Sequence, residues 1–394
     1  MNNKILFFQS HPIQYFSPLF KEMDKTIDME VYYYSECGLI ASYDSGFGKE
    51  VKWDIPLVDG FAYQFLKNFS VSKSMDCKWF NAINFSILNV IRKTSSKILV
   101  INGWSYFSDW LVIIAGILFR KQIWVRADNP LSQELKTGWK AKLKKLILKK
   151  LLFPCFDKFL YVGTESKLFF EYYGALPNQM IYTPHAVDNL RFQNEMTSVL
   201  PQKNNIKSSL GIQPTTKIVL WSAKFISKKR PYDMIEAFQD LSLPNAVLIM
   251  LGDGILYEEI KRYVVENNLT SILLPGFVNQ SEIAKYYGIA DVFVMTSGKG
   301  ETWGLSVNEA MNFALPIIIS DACGCAYDLV QNNSNGFIYP EGDLDALNNA
   351  LYTILSSSNF SSLAAEQSLE KINTFSFTTI ISNIRHQLSL DESH

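Results

Sequence analysis

At 394 residues, with 48% hydrophobic and 14% aromatic side chains, the chain is long enough for two separately cored domains and too apolar for extended disorder. A formal net charge of −1 gives no overall attraction to nucleic acid, which is therefore not an expected partner. Five cysteines, of which only Cys323 and Cys325 stand close together, make neither a disulfide framework nor a zinc-ligand set, so reduced thiols and no metal are expected.

Taken in chain order, the N-terminal stretch MNNKILFFQSHP lacks the apolar core and small residues of a signal peptide and reads as a first strand at 4–8. Short apolar runs at 31–34, 97–101, 123–125, 159–162 and 181–184 read as further strands. Helical patterns separate them, as parallel sheets covered on both faces require. The run 110–119, WLVIIAGILF, stops at Arg120 and Lys121, short of the roughly 20 apolar residues that span a bilayer. It reads as a buried helix. Between Lys136 and Lys150 stand seven lysines interleaved with Trp139, Leu143, Leu146, Ile147 and Leu148. Such a basic amphipathic helix either lies on anionic lipid or packs its leucines on the sheet and solvates its lysines. Residues 194–205 lose the apolar pattern and gather polar side chains and Pro201, which marks them as the expected linker.

The second half repeats the alternation, with strands expected at 217–222, 246–251, 271–274, 291–295, 316–320 and 337–339. Its most informative stretch is 301–321, ETWGLSVNEAMNFALPIIISD. Val307, Ala310, Met311 and Ala314 recur on one helical face between two buried-strand patterns, so a helix packed on a sheet is expected. Trp303, Gly304, Leu305 and Ser306 would form its N-terminus, where unpaired N–H groups attract phosphate. Glu301 would stand just outside, and Glu309 about two turns inside. That arrangement suits a ligand with a phosphate in the middle and a hydroxyl-rich ring at each end, a nucleotide sugar. With 38 acidic residues in the chain, the two glutamates alone are more often solvated side chains.

The segment resembles the E-x7-E signature of retaining glycosyltransferases of the GT-B fold, specifically glycosyltransferase family 4. The likeness runs from about Lys217 to Gly342. It includes IVLWSAK at 218–224, Lys228-Lys229-Arg230-Pro231, Leu251-Gly252-Asp253-Gly254, Pro275-Gly276-Phe277-Val278 and Asn335-Gly336-Phe337. At the N-terminus, His11-Pro12-Ile13-Gln14-Tyr15, residues 43–48 and Trp53-Asp54-Ile55-Pro56 are similar to a bacterial branch of that family with an HPIQY start.

The resemblance implies an α/β, GT-B fold: two Rossmann-like domains with parallel sheets facing across a cleft. The acceptor-binding domain is expected at 1–195 and the nucleotide-sugar-binding domain at 206–374, with a last helix at about 375–394 returning to the first. By the same resemblance Lys224 and Lys229 contact the donor diphosphate, where Lys224 replaces the usual arginine and gives up bidentate geometry. Read without it, the two lysines belong either to an anion site or to a solvated basic loop. Glu301 should bind donor-sugar hydroxyls and Glu309 the ribose, since one carboxylate can accept from two adjacent hydroxyls. Gly276, Phe277 and Val278 should cradle the base, and Thr302, Trp303, Gly304, Leu305 and Ser306 should complete the donor site. Gly252-Asp253-Gly254 is no dinucleotide fingerprint, because Tyr257 holds the third glycine position; it reads as a tight turn.

In the first half, His11 is either a polar contact to acceptor or phosphate or a loop-capping histidine. Arg126 and Asp128 stand where relatives carry a histidine near the reacting centre, and His185 to Asp188 read as structural. The catalytic candidates are therefore Lys224, Lys229, Glu301, His11 and Arg126. The implied activity is metal-independent, retaining transfer of a sugar from a nucleotide sugar to a glycan or lipid-linked glycan acceptor, in bacterial surface polysaccharide or lipopolysaccharide assembly. No cofactor is expected. A cytoplasmic location is expected, peripheral on the membrane through 136–152. A nucleotide-sugar epimerase and a non-catalytic sugar-nucleotide binder are the alternatives.

Overall fold

The computed structural model describes residues 4–39, 41–44, 46–71 and 78–392, with side chains to 390. Met1–Asn3, Ser45, Ser393 and His394, which the sequence reading used, lie outside them. The chain divides into two compact bodies: Met1–Asp44, Glu50–His185 and Phe377–His394 in the first, Ser45–Lys49 and Ala186–Ser376 in the second.

The first body is built on a parallel sheet. Its strands are β1 (Ile5–Gln9), β2 (Met29–Tyr33), β5 (Tyr63–Phe65), β6 (Ile98–Asn102), β7 (Gln122–Ala127), β8 (Lys158–Tyr161) and β9 (Met180–Tyr182). Their order is β5-β2-β1-β6-β7-β8-β9. A separate pair joins β3 (Ser42–Asp44) and β4 (Lys49–Val51). The edge strand β5 escapes the sequence reading because it is short and half exposed, so no apolar run announces it. Leu6, Phe8, Leu99, Ile101, Ile123 and Val125 point to one face, where they pack with Leu111, Val112 and Ala115 of the helix Phe107–Leu118 and with Leu148, Leu152 and Phe153. The last helix, Phe377–Glu392, packs against β9 and the helix Phe16–Asp24 of the same body.

The second sheet comprises β10 (Lys217–Ser222), β11 (Ala246–Leu251), β12 (Ile272–Gly276), β13 (Val292–Met295), β14 (Ile317–Ser320) and β15 (Gly336–Tyr339), in the order β12-β11-β10-β13-β14-β15. All its pairings are parallel. The inner strands β10, β11, β13 and β14 are nearly continuous apolar runs, as burial on both faces demands. Val219, Trp221, Leu248, Met250, Val292 and Val294 form the core with the helices Pro231–Gln239, Tyr257–Glu266 and Leu344–Ser356. The order in which strands are added reverses between β10 and β13, so the loops after these two parallel neighbours meet at a topological switch point, where open α/β sheets bind ligands.

Three expectations change. Residues 194–205 are not an extended linker: helices occupy Asn189–Val199 and Lys203–Ser209, and the two bodies divide between His185 and Ala186. The loss of apolar pattern there reflects helices with a narrow buried face, since Phe192 and Val199 are the buried residues of the first. The helix at 107–118 is buried on one side only, because Ile114, Ile117 and Leu118 are exposed. The helix in the 301–321 stretch spans only Leu305–Met311, with Ala314 beyond it at φ 55°. Glu309 is its fifth residue, little more than one turn in.

Candidate functional site

The loops after β10 and β13 are tied together at the switch point. Trp221 on β10 is buried, and its indole N–H must find an acceptor; it donates to Thr296 Oγ1 at 2.9 Å. Thr296 in turn donates to the Lys229 carbonyl at 2.7 Å. The Gly298 amide donates to the Lys228 carbonyl at 2.8 Å, and Lys228 Nζ donates to the Gly300 carbonyl at 3.0 Å. This lacing places the Lys229 ammonium in an ion pair with the Glu301 carboxylate. Both side chains are mostly buried, at 14% and 11% exposure, so the pair is more than a surface contact. Arg230, in the left-handed region at φ 49°, turns away to Asp233 (2.7 Å) and Glu341 (3.6 Å). Of the basic cluster 228–230, Lys229 is the member held against a sequence-predicted acid.

Close backbone approach fixes the glycines. A Cβ on Gly252, at φ +131°, would overlap the Ala223 carbonyl, and one on Gly254 would press on the Phe225 backbone. The turn after β11 therefore lies directly on the loop carrying Lys224. Gly276, at φ +84°, accepts from the Gly252 amide at 2.9 Å, which aligns the start of the Gly276-Phe277-Val278 loop beside it. Gly304 at φ +109° starts the seven-residue helix against Met295. So short a helix carries little dipole. Trp303, expected on the ligand side, is a core residue whose indole donates to Asn308 Oδ1 at 2.9 Å. Thr302, Leu305 and Ser306 are half-buried.

Glu309 is buried, and its carboxylate is held from both sides. Tyr287 Oη donates to Oε2 at 2.8 Å, and the Gln280 amide donates to Oε1 at 3.3 Å. Arg191 donates to the Gln280 carbonyl oxygen at 2.7 Å, which fixes the amide. Sequence reasoning missed these three. Gln280 follows Val278 by two residues and was within reach; Tyr287 and Arg191 offered no pattern beyond a helix face.

The first body holds the other candidates. His11 follows β1 and contacts Ser10 Oγ through Nδ1 at 3.1 Å. Burial lowers its pKa to about 4, with Asp44 opposing, so the ring is neutral at pH 7 and carries no charge for a phosphate. Arg126, at the end of β7, stacks over the Phe16 ring at 5.0 Å and contacts His185 Nδ1 at 3.2 Å. Asp128 lies 3.5 Å from His185 Nε2. Burial lowers the Arg126 pKa to about 10, still far above neutrality, while burial and the neighbouring guanidinium hold His185 below its usual value. The structure thus gathers Arg126, Asp128 and His185 into one cluster around a permanent cation. His185, read as merely structural, is part of it.

The His11 shift makes a stability prediction. A base whose pKa is lowered on folding contributes stability that is present above 6.5 and lost as pH falls toward 4. The buried Asp109, raised to about 7 by burial, acts in the opposite sense. Urea unfolding of wild type and His11→Gln at pH 7 and pH 4.5 isolates the histidine. The variant should lose less stability on acidification, and equal losses would refute the assignment.

Comparison with known proteins bears on the second body first. Residues 202–370 match the family model described as glycosyl transferases group 1. The chain is 30% identical over 150 residues to alpha-monoglucosyldiacylglycerol synthase of Acholeplasma laidlawii, covering 36% of each chain. It is 31% identical over 155 residues to the amylovoran biosynthesis glycosyltransferase AmsK of Erwinia amylovora, covering 37% of this chain and 38% of that one. The matched part is thus well under half of these curated relatives. Among solved structures, Anabaena Alr3699/HepE in complex with UDP and glucose aligns over 98% of this chain and 99% of its own, with a TM-score of 0.72 at 16% identity. By sequence, then, residues 202–370 match glycosyl transferases group 1, and the chain has the GT-B fold.

Proposed function

We propose that the protein transfers a sugar from a nucleoside diphosphate sugar to a hydroxyl acceptor, retaining the anomeric configuration, in the assembly of a bacterial surface glycoconjugate. The observation that carries this reading is the Lys229–Glu301 pair at the switch point of a domain that matches glycosyl transferases group 1. Alr3699/HepE, of the same fold, is solved with UDP-glucose, which makes UDP sugars the first donors to test.

In this proposal the Lys229 and Lys224 ammonium groups compensate the charge that grows on the departing diphosphate, so no divalent cation is required. Glu301, displaced from Lys229 by phosphate, accepts from donor-sugar hydroxyls. Glu309, fixed by Tyr287 and Gln280, holds the ribose, and the 276–278 loop lies along the base. The bond from the anomeric carbon to the diphosphate oxygen breaks as the bond to the acceptor oxygen forms on the same face. The acceptor proton passes to the departing phosphate oxygen beside it. The first body, with His11 and the Arg126 cluster, supplies the acceptor side.

Incubation with UDP-, GDP-, CMP- and dTDP-sugars, with and without a lipid-linked glycan pool and in the presence of EDTA, tests this. Acceptor-dependent release of free nucleotide is expected. Conversion of the sugar nucleotide without acceptor would point to epimerisation, and no turnover of any donor would count against catalysis.

We also propose that 136–152 rests on anionic lipid. If the helix Gly138–Ile147 and the turns after it packed their leucines on the sheet, those leucines would be buried. Instead Trp139, Leu146 and Leu151 are 69%, 58% and 68% exposed, and Ala141, Leu148 and Leu152 supply the buried contacts. Trp139, Lys140, Leu143, Lys144 and Ile147 line a shallow groove of about 350 Å³. The exposed Ile114, Ile117 and Leu118 belong to a helix covering the same sheet face. No described helix is long and apolar enough to cross a membrane, so contact would be interfacial. In liposome flotation the protein should bind vesicles containing phosphatidylglycerol and leave pure phosphatidylcholine unbound. Trp139→Ser/Leu146→Ser should abolish flotation, and equal binding to both vesicle types would refute the lysine contribution.

A further inference from the structure

The segment 46–49 belongs to the second body. Within that body, its described residues touch three donor-side loops. The Phe47 ring stands edge-on to Phe277, with centroids 5.0 Å apart and planes at 81°. The Lys224 ammonium lies 4.5 Å from the Phe47 centroid. Lys49 donates to Asp253 at 2.6 Å and also lies 4.8 Å over the Phe277 ring. Lys224, Asp253 and Phe277 follow β10, β11 and β12, adjacent strands of one sheet. One short segment thus bridges the ends of three neighbouring strands, on the side where an open α/β sheet takes its ligand.

The pattern alternates aromatic rings with ammonium groups: Lys224 over Phe47, Phe47 against Phe277, Lys49 over Phe277. Each ring face offers negative potential to a cation, and each ring here meets one ammonium group as well as the other ring. Lys224 has a flexible four-carbon stem, and as an isolated side chain it would lose that freedom on meeting a phosphate. Against Phe47 it is already ordered. Phe277, in the loop that begins at the left-handed Gly276, is likewise braced before a ligand arrives.

We infer that Phe47 and Lys49 are donor-positioning residues, which preorganise Lys224 and Phe277 for the diphosphate and base of a nucleoside diphosphate. This rests on the donor-site reading of Lys224 and the 276–278 loop and extends it to a segment far away in sequence. Preorganisation lowers the ordering cost of binding, so its loss appears in affinity more than in the chemical step.

The test is calorimetric titration of the full chain with UDP, paired with steady-state kinetics on the UDP sugar that is turned over. Phe47→Ala should weaken UDP binding by about tenfold and raise the donor KM by a similar factor, with kcat within about twofold of wild type. Phe47→Tyr, which keeps the ring face, should restore affinity; Phe47→Leu, which keeps apolar bulk without the ring, should not. Lys49→Ala should weaken binding less than Phe47→Ala. Phe47→Leu also covers the case in which the alanine variant unfolds. Wild-type affinity in both Phe47→Ala and Phe47→Leu would overturn the inference and leave the donor-site reading intact. Full rescue by Phe47→Leu would overturn it too, by reducing the contact to volume. If wild type binds neither UDP nor GDP, CDP or dTDP, the donor-site reading fails and takes this inference with it.

Discussion

Lys229→Ala should lower sugar transfer by about 10²–10³-fold, the usual effect of removing one preorganised group that meets developing charge. It should also cost stability, and the reason lies in its partner. The Glu301 carboxylate is 11% exposed and paired with Lys229, so alanine at 229 leaves a mostly buried charge without its cation. Such a loss costs about 1–3 kcal/mol. Lys229→Ala/Glu301→Gln removes the stranded charge, and it should recover most of the melting temperature without recovering transfer. That separation is the informative result. If the double variant regained activity along with stability, Lys229 would be a structural cation only. If the single variant kept wild-type turnover, Lys229 would not act on the donor.

Gly252→Ala is the second large effect. Gly252 sits at φ +131°, and an added Cβ would overlap the Ala223 carbonyl oxygen. The Ala223 amide donates to the Leu251 carbonyl at 3.1 Å, and the Gly252 amide donates to Gly276 at 2.9 Å. Relief of the overlap must therefore pull apart the loops carrying Lys224 and Phe277. Backbone strain and the clash together should cost about 2–4 kcal/mol in urea unfolding, and donor binding should fall with it. Gly211→Ala is the matched control: its φ is +73°, and its Cβ would meet nothing within 4 Å. Only the left-handed strain applies there, about 1 kcal/mol. Equal destabilisation by the two substitutions would show that close approach at Gly252 does not matter.

The contrast between these glycines also shows what the sequence could and could not convey. All six strands of the second sheet are readable within about one or two residues, and the inner four most plainly, because burial on both faces leaves uninterrupted apolar runs. Edge strand β5 and the pair β3–β4 are not, since half-exposed short strands carry no such signal. Lys229 and Glu301, 72 positions apart, were singled out by their places in a family pattern, but nothing in the sequence says they pair. That requires knowing that β10 and β13 are neighbours and that Thr296 and Gly298 tie their loops together. Apolar spacing through Ala314 suggests a longer helix than the one after Gly304; a left-handed backbone at Ala314 ends any helix. The lysine-rich helix was ambiguous for a different reason. Its composition is the same whether the leucines face the sheet or solvent, and the choice depends on which side the preceding strand presents. Phe47 and Lys49 had no local signal at all, because their partners lie in another part of the chain.

The central claim is that the second body binds an activated sugar through its diphosphate. A crystal structure with UDP bound tests it most directly. The account predicts phosphate oxygens within hydrogen-bonding distance of Lys224 Nζ and Lys229 Nζ, the ribose hydroxyls on Glu309, and Lys229 released from Glu301. UDP bound away from these residues, with the Lys229–Glu301 pair unbroken, would contradict it.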